Sequence, residues 1–167
     1  DNVYDDKYYA GDTPAAEVVK NAEHYLDRLQ RMKSPPGLLL DIGAAEGFLL
    51  AGAAKRGWDI EGVDIQPKQV ELIRRKLGCT MHTGFVENLA LGSRYDAITL
   101  THVLEHTVNP AAFLAKCLTL LKPGGIVYAV FPNTAGLNDR IKTGLSRWRL
   151  KSRPWKHFAA DHHLWFF

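Results

Sequence analysis

The 167-residue sequence predicts an α/β fold built on a doubly wound, mainly parallel sheet with helices on both faces. Two observations support this prediction. Short apolar runs of strand length alternate with amphipathic segments of helical spacing, which is typical of parallel strands joined by crossover helices. In addition, residues 38–50 run from an apolar strand through small residues directly into a helix. The length favours a single domain, and no apolar run approaches the roughly 18 residues of a membrane span.

The first helix is predicted over Ala15–Met32, because apolar residues recur there at the spacing of one helical face. Thr13 suits the N-cap, and Pro14 suits the first turn. The Ser-Pro-Pro-Gly run at 34–37 ends this helix and precedes the first strand, Leu38–Ile42. Further apolar runs and Gly or Pro breakers predict the rest, in order: a helix at 48–56, a strand at 58–65, a helix at 70–77, a strand at 79–83, a strand at 95–101, a helix at 110–121, a turn at 122–125 and a strand at 126–131.

The small residues at 43–47 leave backbone N–H groups uncovered at the start of a helix. Such a position accepts a polar or anionic ligand, although an ordinary tight strand-to-helix turn has the same sequence pattern. In sheets of this class, ligands bind beyond the carboxyl ends of the strands, where the strand order reverses. We therefore expect the functional residues to gather at the ends of the first four strands.

An acidic residue, Asp64, ends the second predicted strand, 17 residues after Gly47. A carboxylate at this position can accept hydrogen bonds from both ribose hydroxyls of a nucleoside, or it can be a solvated loop residue. An NAD enzyme and other nucleoside-binding proteins fit equally well up to this point. The glycine loop lacks the G-x-G-x-x-G pattern, however, and Glu46 would repel a pyrophosphate. A cationic, phosphate-free nucleoside such as S-adenosylmethionine suits the loop better.

Five motifs occur in an order and spacing that resemble a known family: LLLDIGAAEGFLL, GVDIQP, TGFVENL, YDAITLTHVLEHTVNP and LKPGGIVYAVFPN. The chain resembles class I S-adenosylmethionine-dependent methyltransferases, in particular the bacterial family related to ubiquinone-biosynthesis O-methyltransferases. The resemblance covers roughly residues 38–133 and implies a Rossmann-like methyltransferase fold. It also implies a division into an N-terminal helical lead-in at 1–36, a cofactor-binding core at 37–133 and a lid or substrate region at 134–167.

The resemblance implies which residues contact the cofactor. The methionine part would lie against the first turn, the ribose against the second strand end, and the adenine beside the second and third strand ends, with one further residue lining the cleft after the fourth strand. The residues implied for the methionine part are Asp41, Gly43, Ala44, Ala45 and Gly47. Asp64 would bind the ribose, and Ile65, Phe85 and Val86 would lie beside the adenine. Thr101 would line the cleft. Ala45 replaces a frequent Gly, and Phe85 replaces a frequent Asp.

The segment HVLEH at 102–106 contains candidate catalytic residues. His102 and His106 are candidates for the base that an oxygen acceptor needs. The H-x-x-E-H spelling of one metallopeptidase class requires a helix and does not fit a segment that follows a strand. Some relatives bind a divalent cation through a related motif, so His102, Glu105, His106 and His162 form a candidate metal set; the alternative is that Glu105 and His106 only orient the loop.

The stretch 140–157 is basic and contains two tryptophans. It is a candidate lid over an anionic or aromatic acceptor, a candidate membrane-surface segment or a solvated basic face. Nucleic-acid binding is disfavoured, because acidic residues elsewhere keep the net charge at only +3. Relatives continue with two further strands after the segment at 162–166, so we expect this chain to lack them.

These observations together predict a cytoplasmic enzyme. The acidic start of the chain does not fit a secretory signal, and Cys79 and Cys117 fit reduced thiols. The predicted activity is S-adenosylmethionine-dependent methyl transfer, with O-methylation of a small-molecule acceptor favoured. The alternatives are an RNA or protein methyltransferase, a non-catalytic nucleoside-binding or scaffold domain, and an NAD-dependent oxidoreductase.

Overall fold

The computed structural model describes residues 15–132 and 164–165. The helices are α1 (Ala15–Met32), α2 (Phe48–Lys55), α3 (Pro67–Leu77) and α4 (Pro110–Leu120). The strands are β1 (Leu38–Ile42), β2 (Asp59–Asp64), β3 (Thr80–Thr83), β4 (Tyr95–Thr101) and β5 (Leu121–Val130). The bounds predicted for α1, β1 and β4 are confirmed, and those of the other elements up to α4 shift by three residues or fewer. The candidate cap at 13, the basic stretch 140–157 and His162 lie outside the described residues.

The five strands form one parallel sheet in the order β3-β2-β1-β4-β5. The chain builds the sheet outward from β1 to β3, then returns to the other side of β1 with β4 and β5. The strand order therefore reverses between β1 and β4. This topology confirms the predicted doubly wound fold, and it places the expected ligand position at the carboxyl ends of these two strands.

Neighbouring residues of a strand point to opposite faces of the sheet. Because apolar residues of β1 lie on both faces, helices cover both of them. Leu39 of β1 packs with residues of α1, α2 and α3, whereas the next residue, Leu40, packs with residues of α4. Helix α1 is further attached to α2 by Arg56, which contacts Glu23 and lies 2.7 Å from Asp27. This attachment fixes α1 beside the strand ends.

The fifth strand differs from the prediction. We expected a turn at 122–125 followed by a strand at 126–131, but the strand spans Leu121–Val130. Tyr95 is paired with Leu121, and Ala97 with Ile126, so the register shifts within this strand. The predicted turn residues form an irregularity inside the strand, where Gly124 has a φ of +75°, because Leu121 already pairs with β4.

No helix within the described ranges combines the length and the apolar character that crossing a membrane requires.

Candidate active site

The turn between β1 and α2 is fixed by hydrogen bonds to the neighbouring strand. The backbone N–H groups of Gly43 and Ala44 both donate to the carbonyl oxygen of Val63, at 2.8 and 3.2 Å. Gly43 has a φ of +77°, and a Cβ there would lie 2.5 Å from Cγ2 of Val103. Ala45 adopts a φ of +47°, a conformation that disfavours residues with a side chain. The turn is therefore a closely fitted element whose backbone is brought against the end of β2.

Asp64 connects this turn to the end of β2. Its Oδ2 accepts a hydrogen bond from the N–H of Ala45 at 2.9 Å, and its Oδ1 accepts one from the N–H of Gln66 at 2.8 Å. Burial raises the pKa of Asp64, and the backbone N–H groups partly oppose this effect. Each carboxylate oxygen keeps a second lone pair, so the fixed carboxylate can accept two further hydrogen bonds.

Asp41 lies in β1 with 1% of its surface exposed. The hydroxyl of Thr99 donates to its Oδ1 at 2.7 Å. Burial raises the pKa of Asp41 from its ordinary 3.8 to about 7; the Thr99 hydrogen bond lowers it, and the charge of Asp64 raises it further. The Asp41 carboxyl group is therefore easily protonated near neutral pH, and a cationic ligand beside it would favour its ionised form.

The raised pKa of Asp41 predicts that the contribution of this residue to stability falls as the pH rises from about 4 to about 7. Over this range the folded protein holds a proton on Asp41 that the unfolded chain has lost, so raising the pH favours unfolding. We expect this group to lower the free energy of unfolding by about 2–4 kcal/mol over the range. The Asp41→Asn variant keeps an acceptor for Thr99 but cannot ionise, so its urea-unfolding free energies should depend less on pH. Parallel profiles for the two proteins between pH 4 and 8 would contradict the assignment.

The ends of β1, β2 and β4 surround a cavity of about 630 Å³. The structure brings most of the predicted site residues to its wall: Asp41, Gly43, Ala44, Ala45, Asp64, Ile65, Phe85, Val86, Thr101, His102 and His106. Gly47 does not line the cavity. It precedes α2 with a φ of +77°, and a Cβ there would lie 3.0 Å from Cγ1 of Ile73 in α3. This glycine therefore allows the start of α2 to pack closely against α3.

The sequence analysis missed part of the cavity wall. Four residues of α1 line it, although we had predicted only a helical lead-in there: Val18, Asn21, Ala22 and Tyr25. Amphipathic spacing indicated which face of α1 is buried but not which element it faces. The cavity is also lined by residues that follow β3 and β4: Glu87, Thr107, Val108 and Phe113. Their positions after these strands could have identified them in the sequence.

The described cavity wall is rich in carboxyl groups. Four carboxylates line it, Asp41, Glu46, Asp64 and Glu87, and the described lining residues include no lysine or arginine. A pyrophosphate would be repelled here, whereas a cation would be attracted. The cavity therefore suits a positively charged ligand.

His102 lies at the edge of the cavity directly after β4. It has a φ of +56°, and its backbone N–H donates to the carbonyl oxygen of Val130 at 2.8 Å. Its Nδ1 lies 3.3 Å from Oε1 of Glu105, which is 1% exposed. Burial raises the pKa of Glu105, but the His102 hydrogen bond, the Glu105 backbone amide and the charges of His102 and His106 outweigh it and lower the pKa overall. An ionised Glu105 can accept a hydrogen bond from a protonated Nδ1 of His102. In that tautomer Nε2 of His102 has a free lone pair and can act as a base.

Residues 164–165 pack against the same loop. The N–H groups of Leu164 and Trp165 donate to the carbonyl oxygen of Glu105 at 2.8 and 3.2 Å, and Nε1 of Trp165 donates to the carbonyl oxygen of Thr107 at 2.8 Å. The end of the described chain thus helps to fix the loop that carries His102. Within 15–132 and 164–165, no group of three or more His, Cys, Asp or Glu side chains is arranged to hold a metal ion, so His102, Glu105 and His106 do not form one together.

The profile of a protein family described as a methyltransferase domain matches residues 16–167. The chain belongs to this family. The family that the five motifs indicated is therefore confirmed. This methyltransferase domain is 36% identical over 95 residues to a ubiquinone biosynthesis O-methyltransferase of Cereibacter sphaeroides, a match covering 53% of this chain and 38% of that relative. The chain spans less than half the length of the curated relatives it matches.

Solved structures share the fold of the methyltransferase domain. The PH0226 protein from Pyrococcus horikoshii OT3 gives a TM-score of 0.67 at 19% identity, covering 87% of this chain and 70% of that chain. CalS10 from Micromonospora echinaspora, an amino pentose methyltransferase solved with bound SAM, gives a TM-score of 0.57 at 27% identity, covering 76% of this chain and 56% of that chain. The confirmed fold class thus agrees with these structures.

Proposed function

We propose that this domain transfers a methyl group from S-adenosylmethionine to an oxygen atom of a small-molecule acceptor. The observation that carries the proposal is the cavity at the strand-order reversal, which has four carboxylates and no lysine or arginine among its described lining residues. S-adenosylmethionine has a sulfonium, an ammonium and a ribose but no phosphate. It therefore matches the cavity in charge, whereas the pyrophosphate of NAD does not.

The cavity residues divide between the parts of this ligand. Asp64 would accept the ribose hydroxyls, because its carboxylate is already oriented by the N–H groups of Ala45 and Gln66. Asp41 and the open backbone of the β1–α2 turn would face the charged methionine end. Phe85, which is 59% exposed at the cavity rim, and Ile65 would flank the adenine. This division agrees with the roles that the family resemblance implies.

His102 would act as the base for an acceptor hydroxyl. S-adenosylmethionine supplies a methyl group that is already activated, so the protein has to align the acceptor and remove its proton. Nδ1 of His102 lies within hydrogen-bond distance of the buried Glu105. This contact would hold the proton of the neutral ring on Nδ1, so Nε2 is the nitrogen that would take the hydroxyl proton as the oxygen bonds to the methyl carbon.

The names of the curated relatives support an oxygen acceptor. They are called ubiquinone biosynthesis O-methyltransferases, and a phenolic hydroxyl is an acceptor whose proton a histidine can remove. The reaction that we propose is therefore O-methylation of a small phenol or related hydroxyl compound. Such an enzyme would act in the cytoplasm on a small molecule.

Calorimetric titration with S-adenosylhomocysteine and with NADH tests the proposal. We expect one-to-one binding of S-adenosylhomocysteine and no measurable binding of NADH, because the cavity repels a pyrophosphate. Adenosine serves as a control for the nucleoside part alone and should bind more weakly than S-adenosylhomocysteine. Binding of NADH together with failure of S-adenosylhomocysteine to bind would reject the proposed cofactor.

A further inference from the structure

The loop after β4 contains one short 3₁₀ turn, Leu104–His106. Within this turn the N–H of His106 donates to the carbonyl oxygen of Val103 at 3.0 Å. The N–H and the hydroxyl of Thr107 both donate to the carbonyl oxygen of Leu104, at 3.2 and 2.8 Å. These hydrogen bonds join residues three apart and define the shape of the turn, so other contacts have to fix its position.

The carboxylate of Glu105 is the part of this turn that contacts His102. Its Oε1 lies 3.3 Å from Nδ1 of His102, and its Oε2 is buried without a hydrogen-bond donor among the described residues. The backbone N–H of Glu105 itself also holds the carboxylate and, like His102, lowers its pKa. The orientation of the carboxylate therefore follows the position of the Glu105 backbone.

Segment 164–165 holds that backbone from outside the loop. The N–H groups of Leu164 and Trp165 donate to the carbonyl oxygen of Glu105 at 2.8 and 3.2 Å. Nε1 of Trp165 donates to the carbonyl oxygen of Thr107 at 2.8 Å, across 58 residues of sequence. The two carbonyl groups lie on either side of His106, so three donors from one segment hold the end of the turn.

The two residues of this segment are half exposed or more and lie away from the ligand. Leu164 is 60% exposed and Trp165 is 44% exposed. Neither of them lines the cavity at the strand ends. The indole N–H of Trp165 is therefore its specific contribution to the loop, and any effect of Trp165 on methyl transfer has to pass through Glu105 and His102.

We propose that Trp165 is a positioning residue for methyl transfer: its indole N–H holds the carbonyl group of Thr107 and thereby keeps the carboxylate of Glu105 on Nδ1 of His102. This inference rests on the proposed role of His102 as the base. The proton of a neutral imidazole lies on either ring nitrogen, and a carboxylate at Nδ1 favours the tautomer that carries the proton there. In the other tautomer Nε2 carries the proton and has no lone pair for the proton of an acceptor.

The Trp165→Phe variant tests this inference, because it removes the indole donor and keeps an aromatic ring. The nitrogen NMR signals of the neutral His102 ring report its tautomer, and their absence in His102→Asn assigns them. We expect the fraction with the proton on Nδ1 to fall in Trp165→Phe. We also expect kcat for catechol methylation to fall by about 3- to 10-fold, the effect of losing one hydrogen bond. The KM for catechol and the affinity for S-adenosylhomocysteine should stay unchanged.

Two control variants separate positioning from general effects on the fold. Leu164→Ala shortens an exposed apolar side chain in the same segment and keeps all three hydrogen bonds. Trp58→Phe makes the same exchange at a buried tryptophan whose Nε1 has no hydrogen-bond partner among the described residues. Both variants should keep the His102 tautomer and the kcat of the unaltered protein, and urea unfolding measures their stability separately.

The inference is overturned if Trp165→Phe has the same His102 tautomer as Leu164→Ala. A lower kcat in Trp165→Phe with an unchanged tautomer would also overturn it, because the loss would then not pass through His102. An unchanged rate in His102→Asn would overturn the proposed base and this inference together. A lower rate in His102→Asn with an unaltered Trp165→Phe variant would overturn the positioning role alone.

Discussion

Replacing His102 with asparagine is expected to lower the rate of methyl transfer by on the order of 10²–10⁴-fold, the usual contribution of a general base. Asparagine tolerates the φ of +56° at this position, so the loop should keep its conformation. S-adenosylhomocysteine affinity should change little, because the proposed hydrogen bonds to this ligand come from Asp64 and the backbone of residues 43–45 and not from His102. Transfer of a labelled methyl group to catechol, a small phenol, measures the rate.

The matched control for this prediction is His106→Asn, which alters the other candidate base on the same cavity wall. We expect His106→Asn to retain more activity than His102→Asn, because Glu105 contacts His102 through Nδ1. Glu105→Gln should give an intermediate loss, since the amide keeps the shape but not the charge. A larger loss of activity in His106→Asn than in His102→Asn would contradict the assignment of His102 as the base.

Replacing Asp64 with alanine is expected to weaken S-adenosylhomocysteine binding by on the order of 100-fold, because two charge-assisted hydrogen bonds to the ribose would be lost. The change also removes the acceptor for the N–H groups of Ala45 and Gln66, so the β1–α2 turn loses one of its attachments. Calorimetry measures the affinity, and urea unfolding of the same variant separates the loss of binding from any loss of stability.

Asp59→Ala provides the comparison for Asp64, because Asp59 is exposed at the opposite end of the same strand. This variant should bind S-adenosylhomocysteine like the unaltered protein. Asp64→Asn keeps one carbonyl oxygen and should fall between the two. Equal affinities for Asp64→Ala and Asp59→Ala would remove the ribose assignment.

The strand-to-helix turn could be predicted because its chemistry is local. Small residues after an apolar run predicted an open backbone, and the acidic residue at the end of β2 was expected to lie nearby. The structure adds a contact that spacing does not indicate: the N–H of Ala45 donates directly to Asp64. The left-handed conformation of Ala45 was also not predicted, because alanine disfavours it.

The parts that the sequence analysis missed depend on tertiary packing. Helix α1 was predicted with the observed bounds, yet its contribution to the cavity wall could not be read from its periodicity, which carries no information about the neighbouring element. The register shift in β5 depends on which residue of β4 pairs with Leu121. The contact between His102 and Glu105 could have been suspected from their separation of three residues, but the buried position of Glu105 comes only from the fold.

A crystal structure of the protein with S-adenosylhomocysteine tests the central claim most directly. Our account predicts the ribose hydroxyls on the carboxylate of Asp64, the amino acid end over the backbone of residues 43–45, and the sulfur facing His102. A ligand bound outside this cavity, or bound within it with its ribose away from Asp64, would contradict the account.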